Sequence, residues 1–476
     1  MQTQTPITVT NSRYRLGDHL MAKAGWINDP NGFCYFKGYY HVFYQHYPYG
    51  AEWGPMHWGH ARSRDLVHWE TLPIALTPGD PEDQDGCFSG SAIVKDDCLY
   101  LLYTGHHYYG DNDPDHFWQN QNMAYSTDGV HFTKYAQNPV IAQAPADNTQ
   151  HFRDPKVWQH GDAYYMILGS QGQDQLGRVI LYRSSDLKHW TYLGPIAQAT
   201  NLQTEGYMWE CPDLFELDGQ TVLLTSPQGI QAEAKRFLNL NQTGYFIGEL
   251  DYQQPQLVDR GAFSELDHGH DFYASQTTLT PDGRRIVIGW MAMWESVMPE
   301  QADGWAGALT FPRELTRVGK QLRMKPAREL TALRTQTLTD TTVTLEATPQ
   351  RFQPTHRQAE FKGQLDLTTT PAVVTLAVRA GAVNVTLTYD QARGELTLRR
   401  SDRSDARYAQ VSGQPTALTF DLWLDTSSLE VFLNDGAVTF TERFYPQSQP
   451  HFELQSDQAL SGHVQLFDLT QQAVTY

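Results

Sequence analysis

Three stretches of this chain repeat one another: RSRDLVHWE (62–70), YSTDGVHFTK (125–134) and RSSDLKHWT (183–191). Each carries Ser, Asp, then His and an aromatic. Asp65, Asp128 and Asp186 recur about 60 residues apart, somewhat more than the roughly 40–50 residues of a propeller repeat. Between them, short runs such as FCYFKGYYHVFYQ, CLYLLYTG, AYYMILGS and TVLLTSP read as strands broken by Gly, Pro and Asp-rich turns, and long helical periodicity is nearly absent. Each repeat predicts a hairpin turn whose aromatic packs between neighbouring sheets. A fold of this kind gathers loops from every blade around one axial funnel, so residues distant in sequence meet there.

The texture changes after Phe311-Pro312-Arg313-Glu314-Leu315. Lys325-Pro326-Ala327-Arg328-Glu329-Leu330 reads as a short linking helix with Pro near its start. From about residue 340 the chain alternates apolar and polar residues (AVVTLAVRAG, AVNVTLTYD, GELTLRRSD, LEVFLNDGAVTF), and Asn434-Asp435-Gly436 between apolar runs signals a hairpin. The expected organisation is an all-β chain: a propeller over 1–318, a linker over 319–339 and a β-sandwich over 340–476 that supports the propeller. A length of 476 residues exceeds one ordinary core and accommodates both units.

A net charge of −19 with pI near 5.3 and no basic patch argues against nucleic acid or an anionic membrane as partner. The first 25 residues lack the charged and apolar regions of a targeting signal, and no apolar run approaches the roughly 18 residues of a membrane span. Cys34, Cys87, Cys98 and Cys211 show no CxxC spacing and are expected as small buried apolar residues rather than reactive ones. The cytoplasm is the inferred location, which makes the sequons at Asn241 and Asn384 chance matches.

Three carboxylate motifs carry the chemistry. Trp26-Ile27-Asn28-Asp29-Pro30-Asn31-Gly32 sets Asp29 in a turn, pushed toward extended backbone by Pro30 and flanked by a flat ring and two amides suited to sugar hydroxyls. HFRDPKVW holds Arg153-Asp154-Pro155, and MWECPDLF holds Glu210-Cys211-Pro212. Alone, each is ordinary turn chemistry. Together they offer the two carboxyl groups of glycoside hydrolysis and a third acid to orient hydroxyls and stabilise positive charge on the ring.

With these motifs the chain resembles glycoside hydrolase family 32, the invertases, sucrose-6-phosphate hydrolases and fructan hydrolases. The resemblance extends through Phe88-Ser89-Gly90-Ser91-Ala92, Ser226-Pro227-Gln228-Gly229, Asp271-Phe272-Tyr273-Ala274-Ser275-Gln276, Gly289-Trp290-Met291, Pro312-Arg313-Glu314-Leu315 and Ser428–Gly436. The lead-in His19-Leu20-Met21-Ala22-Lys23-Ala24-Gly25 is closer to the bacterial intracellular sucrases. The resemblance implies a five-bladed β-propeller followed by a C-terminal β-sandwich. It also implies a retaining β-fructofuranosidase acting on sucrose or sucrose 6-phosphate, with Asp29 as nucleophile, Glu210 as acid/base and Asp154 as transition-state stabiliser. Retention predicts carboxyl groups about 5–5.5 Å apart. The charge of Asp29 and aromatic walls at Trp209 and Phe215 would keep Glu210 protonated for its first task.

Asn28, Gln45, Trp53, Phe88, Ser89 and Trp290 match positions lining the family's fructose pocket, and Tyr273 a tyrosine near the nucleophile. For Trp53, Tyr273 and Trp290 the plain alternative is blade packing. Arg153 would bind a sugar hydroxyl or hold Asp154 ionised. Lys235 and Arg236 are candidates for a glucosyl 6-phosphate, against an alternative of exposed loop charge. No cofactor is expected: GSQGQDQLG lacks the setting of a phosphate-binding loop, and the pairs His57/His60, His106/His107 and His268/His270 lack zinc-site spacing, so no metal is assigned. The alternatives to sucrose cleavage are exo-hydrolysis of fructooligosaccharides or fructans, fructosyl transfer, and non-catalytic sugar binding.

Overall fold

The computed structural model describes residues 5–368, 370–413, 415–470 and 472–476. Five antiparallel sheets surround one axis. Their inner strands are Gly25–Phe36, Gly86–Lys95, Asn148–His160, Met208–Leu217 and Tyr273–Leu279. Blade 1 continues outward through Tyr39–Tyr47, His57–Ser63 and Trp69–Leu76, and the other blades repeat this meander. Two six-stranded sheets then pack face to face, one centred on Ala359–Asp366 and Ala417–Asp425, the other on Val373–Ala380 and Val383–Asp390. Their facing residues form one core that includes Phe361, Phe420, Leu454 and Leu466. The expected all-β propeller and sandwich are therefore what the chain forms. Among the described residues no helix is long and apolar enough to cross a membrane.

The repeated Ser-Asp-His turns have one geometry. In blades 1 to 3, Asp65, Asp128 and Asp186 accept the amides of residues two and three further on and bond the ring Nδ1 of His68, His131 and His189 at 2.7–2.8 Å. The aromatic that follows packs between sheets: Phe132 against Phe43 and His60, and Trp190 against the cluster shared by blades 2 and 3. The helix expected at Lys325–Leu330 is a 3₁₀ turn, Arg328–Leu333, because Gln321–Pro326 serves as the outer strand of blade 5. Asn434-Asp435-Gly436 makes its hairpin with all three residues at positive φ.

Side chains tie the inner strands together around the axis. Asn31 Oδ1 accepts the Gly90 amide, the Asp154 amide donates to Thr104 Oγ1, and Asp213 Oδ2 accepts both the Thr277 amide and Lys156 Nζ. Gln276 reaches across, accepting from Phe33 N and donating to Gly90 O. Blade 1 gains a parallel strand on each edge, from Trp305–Ala306 and from the C-terminal Val474–Thr475. The sandwich docks through buried charge. Arg313 binds Asp267 and Glu430, and His19 bridges Asp425 and Glu430 at 2.8 Å to each. Two motifs far apart in sequence, around Arg313 and around Glu430, thus meet in one ion network.

Candidate active site

Each of the five inner strands is interrupted by a β-bulge near the end that opens to the funnel. Asn28 and Asp29 face the single residue Gln45; Ser89 is extra in blade 2; Asp154-Pro155, Cys211-Pro212 and Ala274-Ser275 do the same in blades 3 to 5. A bulge unpairs a residue and re-aims its side chain, and here that direction is the axis. Three of these positions hold positive φ without being glycine: Asp154 at 64°, Cys211 at 47° and Ala274 at 52°. Such backbone is costly, and it persists because the surrounding ladder over-determines it. Pro30, Pro155 and Pro212 fit here because a bulge leaves an amide out of the ladder. Gly169 pairs with Arg153 beside the blade 3 bulge, and a Cβ there would come within 2.1 Å of the Trp209 carbonyl. Only glycine lets blades 3 and 4 approach this closely.

The three acids are joined through Cys211. Its amide donates to Asp154 Oδ2 at 2.8 Å, its thiol lies 3.4 Å from Asp29 Oδ2, and its chain neighbour is Glu210. Asp29 also accepts Ser89 Oγ at 2.7 Å and Asn28 Nδ2 at 3.0 Å, while Asn28 is itself held by the Trp26 indole at 2.7 Å. Glu210 accepts Arg153 Nε and Nη2 on one oxygen at 3.1 and 2.8 Å. Its other oxygen accepts Gln228 Nε2 at 2.8 Å and the Tyr273 hydroxyl at 2.5 Å. Arg153 therefore bonds Glu210, where sequence reasoning considered Asp154 as its partner.

Burial, with the charge of Glu210 added, pushes the Asp29 carboxyl up despite its hydrogen bonds. Burial also pushes Asp154 up; the Arg153 charge opposes this, while Glu210 and Asp29 reinforce it. Both shifts have one physical origin, since carboxyl groups crowded in a buried funnel disfavour one another's negative charge.

Trp53 stands at the rim, 41% exposed and edge-on to Phe88 at 5.9 Å. Gln45 Nε2 bonds Cys87 O and joins blade 1 to blade 2. Trp290 is fully buried behind Trp26 and Trp294, its indole N–H without a partner among the described residues. Trp209 and Phe215, expected as walls beside Glu210, point instead into the cores between blades, Trp209 onto Phe246 and Phe215 toward Leu322. Alternation turns Trp209 away from its neighbour Glu210, and Phe215 lies five residues further along the strand, beyond the bulge. Lys235 binds both oxygens of Glu395 at 2.6 Å and lies over the Tyr408 ring, so it serves the contact with the sandwich. Arg236 sits between Glu233 and Glu265. Of the paired histidines, His60 bonds His41 and His270 bonds Glu442.

Sequence reasoning does not single out Gln228 and takes Cys211 only as a small buried apolar residue. Both lie inside quoted motifs, but a cysteine beside an acid and a glutamine before a glycine carry no signal until the bulges place them. Among the described residues no three His, Cys, Asp or Glu side chains are grouped to hold a metal ion.

Comparison with known proteins gives consistent results. The model of the glycosyl hydrolases family 32 N-terminal domain matches residues 19–326, and that of the family 32 C-terminal domain matches 329–471. The chain is 42% identical over 455 residues to a sucrose-6-phosphate hydrolase of Zymomonas mobilis, covering 92% of this chain and 88% of that one. It is 41% identical over 441 residues to a raffinose invertase of Escherichia coli, covering 90% and 89%. A Bombyx mori GH32 β-fructofuranosidase, solved in complex with sucrose, superposes with a TM-score of 0.88 at 39% identity over 98% of this chain and 96% of that one. A sucrose-6-phosphate hydrolase from Lactobacillus gasseri gives 0.86 at 28%, over 97% and 94%.

Proposed function

The chain belongs to glycosyl hydrolase family 32, and from that footing we propose that it is a retaining β-fructofuranosidase hydrolysing sucrose or sucrose 6-phosphate. The observation that carries this reading is the convergence of Asp29, Asp154 and Glu210 on one funnel through the amide and thiol of Cys211. Asp29, oriented by Ser89 and Asn28, attacks the anomeric carbon of the fructofuranosyl ring and forms a covalent fructosyl-enzyme. Glu210 protonates the departing glycosidic oxygen, then takes a proton from the water that releases fructose. The Tyr273 hydroxyl, which either donates or accepts by rotation of one bond, keeps Glu210 Oε2 partnered in both states. Asp154, fixed by Cys211 and opposed by the Arg153 charge, holds ring hydroxyls and stabilises positive charge on the ring.

Four free cysteines support action in the cytoplasm, where thiols stay reduced. A raffinose invertase among the relatives supports a second reading, in which larger β-fructosides are also cleaved from their fructosyl end. The test is fructose release from sucrose by Asp29→Asn and Glu210→Gln. Each should lower kcat by about 10³-fold or more while the protein remains folded. Wild-type turnover by the Asp29 variant would remove the proposed nucleophile.

A further inference from the structure

From the reacting carboxylates an arc of rings runs around the solvent mouth of the funnel. Trp53 meets Phe88 edge-on, Phe88 lies flat on His106 at 4.1 Å, and His106 abuts Phe117 at 5.1 Å. Phe117 stands edge-on to His151 at 5.3 Å, and His151 to Tyr207 at 6.3 Å. The arc begins beside Ser89, which bonds Asp29, and ends beside Arg153, which bonds Glu210 and His151. A sugar leaving from between Asp29 and Glu210 passes along these rings, whose faces suit the C–H surface of a neutral pyranose.

The exposed charge beside this arc is negative. The exposed turn 109–116 carries Asp111, Asp113 and Asp115 and no Lys or Arg, and the neighbouring Asp85 holds the Tyr108 amide. Burial and the charge of Glu210 push the Tyr207 phenol up, the Arg153 charge opposes them, and Asp115 of the acidic turn adds to the rise. Among the described residues, the cations beside the arc are engaged. Arg153 is committed to Glu210, and His116 to Asp111. His106 and His151 are pushed down to about 3, by burial first and the Arg153 charge second, and so stay neutral. Of the blade 4 loop cations, Lys235 is held by Glu395 and Arg260 by Glu205, while Arg236 lies between Glu233 and Glu265 at 3.9 and 4.0 Å. A sugar phosphate brings a charge of about −1.5 to −2 and needs charge-assisted donors to bind.

We infer that the leaving-group side of this funnel selects a neutral sugar and discriminates against a glucosyl group carrying a 6-phosphate. The inference rests on the β-fructofuranosidase reading and narrows its substrate class. It sets this chain apart from those relatives that are named for the phosphate ester.

The test compares kcat/KM for sucrose and sucrose 6-phosphate on the wild-type protein at low and raised ionic strength. Sucrose should be favoured about tenfold at low salt, and the gap should narrow as salt screens the carboxylates. Asp115→Lys, at an exposed turn, should raise the ratio of phosphate ester to sucrose turnover severalfold. A wild-type protein that cleaves the phosphate ester as well as sucrose or better, or whose turnover of it falls with salt, would overturn the inference. Failure to release fructose from either sugar would instead overturn the enzymatic reading beneath it.

Discussion

The Tyr273 hydroxyl donates to Glu210 Oε2 at 2.5 Å, joining the innermost strands of blades 4 and 5 at the proposed acid/base. Gln228 shares that oxygen, and Arg153 takes the other. Tyr273→Phe keeps the ring and removes only the hydroxyl. It should lower kcat by about 10–100-fold with little change in KM, because the proton moves through Glu210 in both chemical steps. Steady-state kinetics on sucrose check this, and an unchanged kcat would reduce Tyr273 to blade packing.

Cys211 should be unreactive in the folded protein. Burial, then the charges of Asp29, Asp154 and Glu210, push its thiol well above the ordinary value, and a thiol without thiolate does not alkylate. Iodoacetamide at mildly alkaline pH should leave activity intact, with Cys211 modified only after unfolding. Rapid inactivation accompanied by a carboxamidomethyl group on Cys211 in a peptide map would contradict this account.

His19 couples domain docking to pH. Burial alone would lower its value, but bonds to Asp425 and Glu430 carry it above 6.5. Its stabilising contribution is therefore complete below 6.5 and is lost as pH rises through the raised value. Against burial, the His19 bond holds Asp425 below its ordinary 3.8, and the Arg313 charge followed by His19 holds Glu430 below 4.5, so their contribution is lost as pH falls beneath those values. His19→Ala should cost about 3–5 kcal/mol near pH 6, since it leaves Asp425 with only neutral amide donors and Glu430 with Arg313 as its ion-pair partner. Melting temperatures measured across pH should show the wild type losing this advantage over the variant on the alkaline side.

Asp18 is shifted the opposite way from Asp425 and Glu430. Its carboxyl is buried beside Asp425 with neither oxygen partnered, and burial, then that neighbour, push it up to about 9. The folded chain keeps a proton that the unfolded chain releases near 3.8, so stability falls as pH rises from 3.8 toward 9. Asp18→Asn should stabilise by about 1–3 kcal/mol at pH 8 and by little at pH 4. The Asp18 amide, which holds Asp425, is untouched. Urea denaturation at the two pH values decides it, and a less stable variant at pH 8 would be the contrary result.

The repeated Ser-Asp-His turns, the alternating strands and the Asn434-Asp435-Gly436 hairpin are local, and each was legible because a turn is made by neighbours in sequence. The three acids were legible for a related reason: Asp29, Asp154 and Glu210 each lie within two residues of a proline, in unusual aromatic surroundings. What these motifs do not contain is direction. Trp209 and Glu210 are adjacent, yet one enters the core between blades and the other the funnel, because a strand alternates its faces and the bulge at Cys211-Pro212 resets that alternation. Lys235 shows the same limit, since its partner Glu395 is 160 residues away.

The sequence by itself determined the all-β class, the blade turns and the types of group that carry the chemistry. Only the tertiary structure decided that Cys211 joins the acids, that Arg153 serves Glu210, and that the basic pair of blade 4 faces the sandwich. Those outcomes depend on which face of a twisted, bulged strand meets which neighbour around a closed ring. That register is set by contacts between residues far apart in the chain.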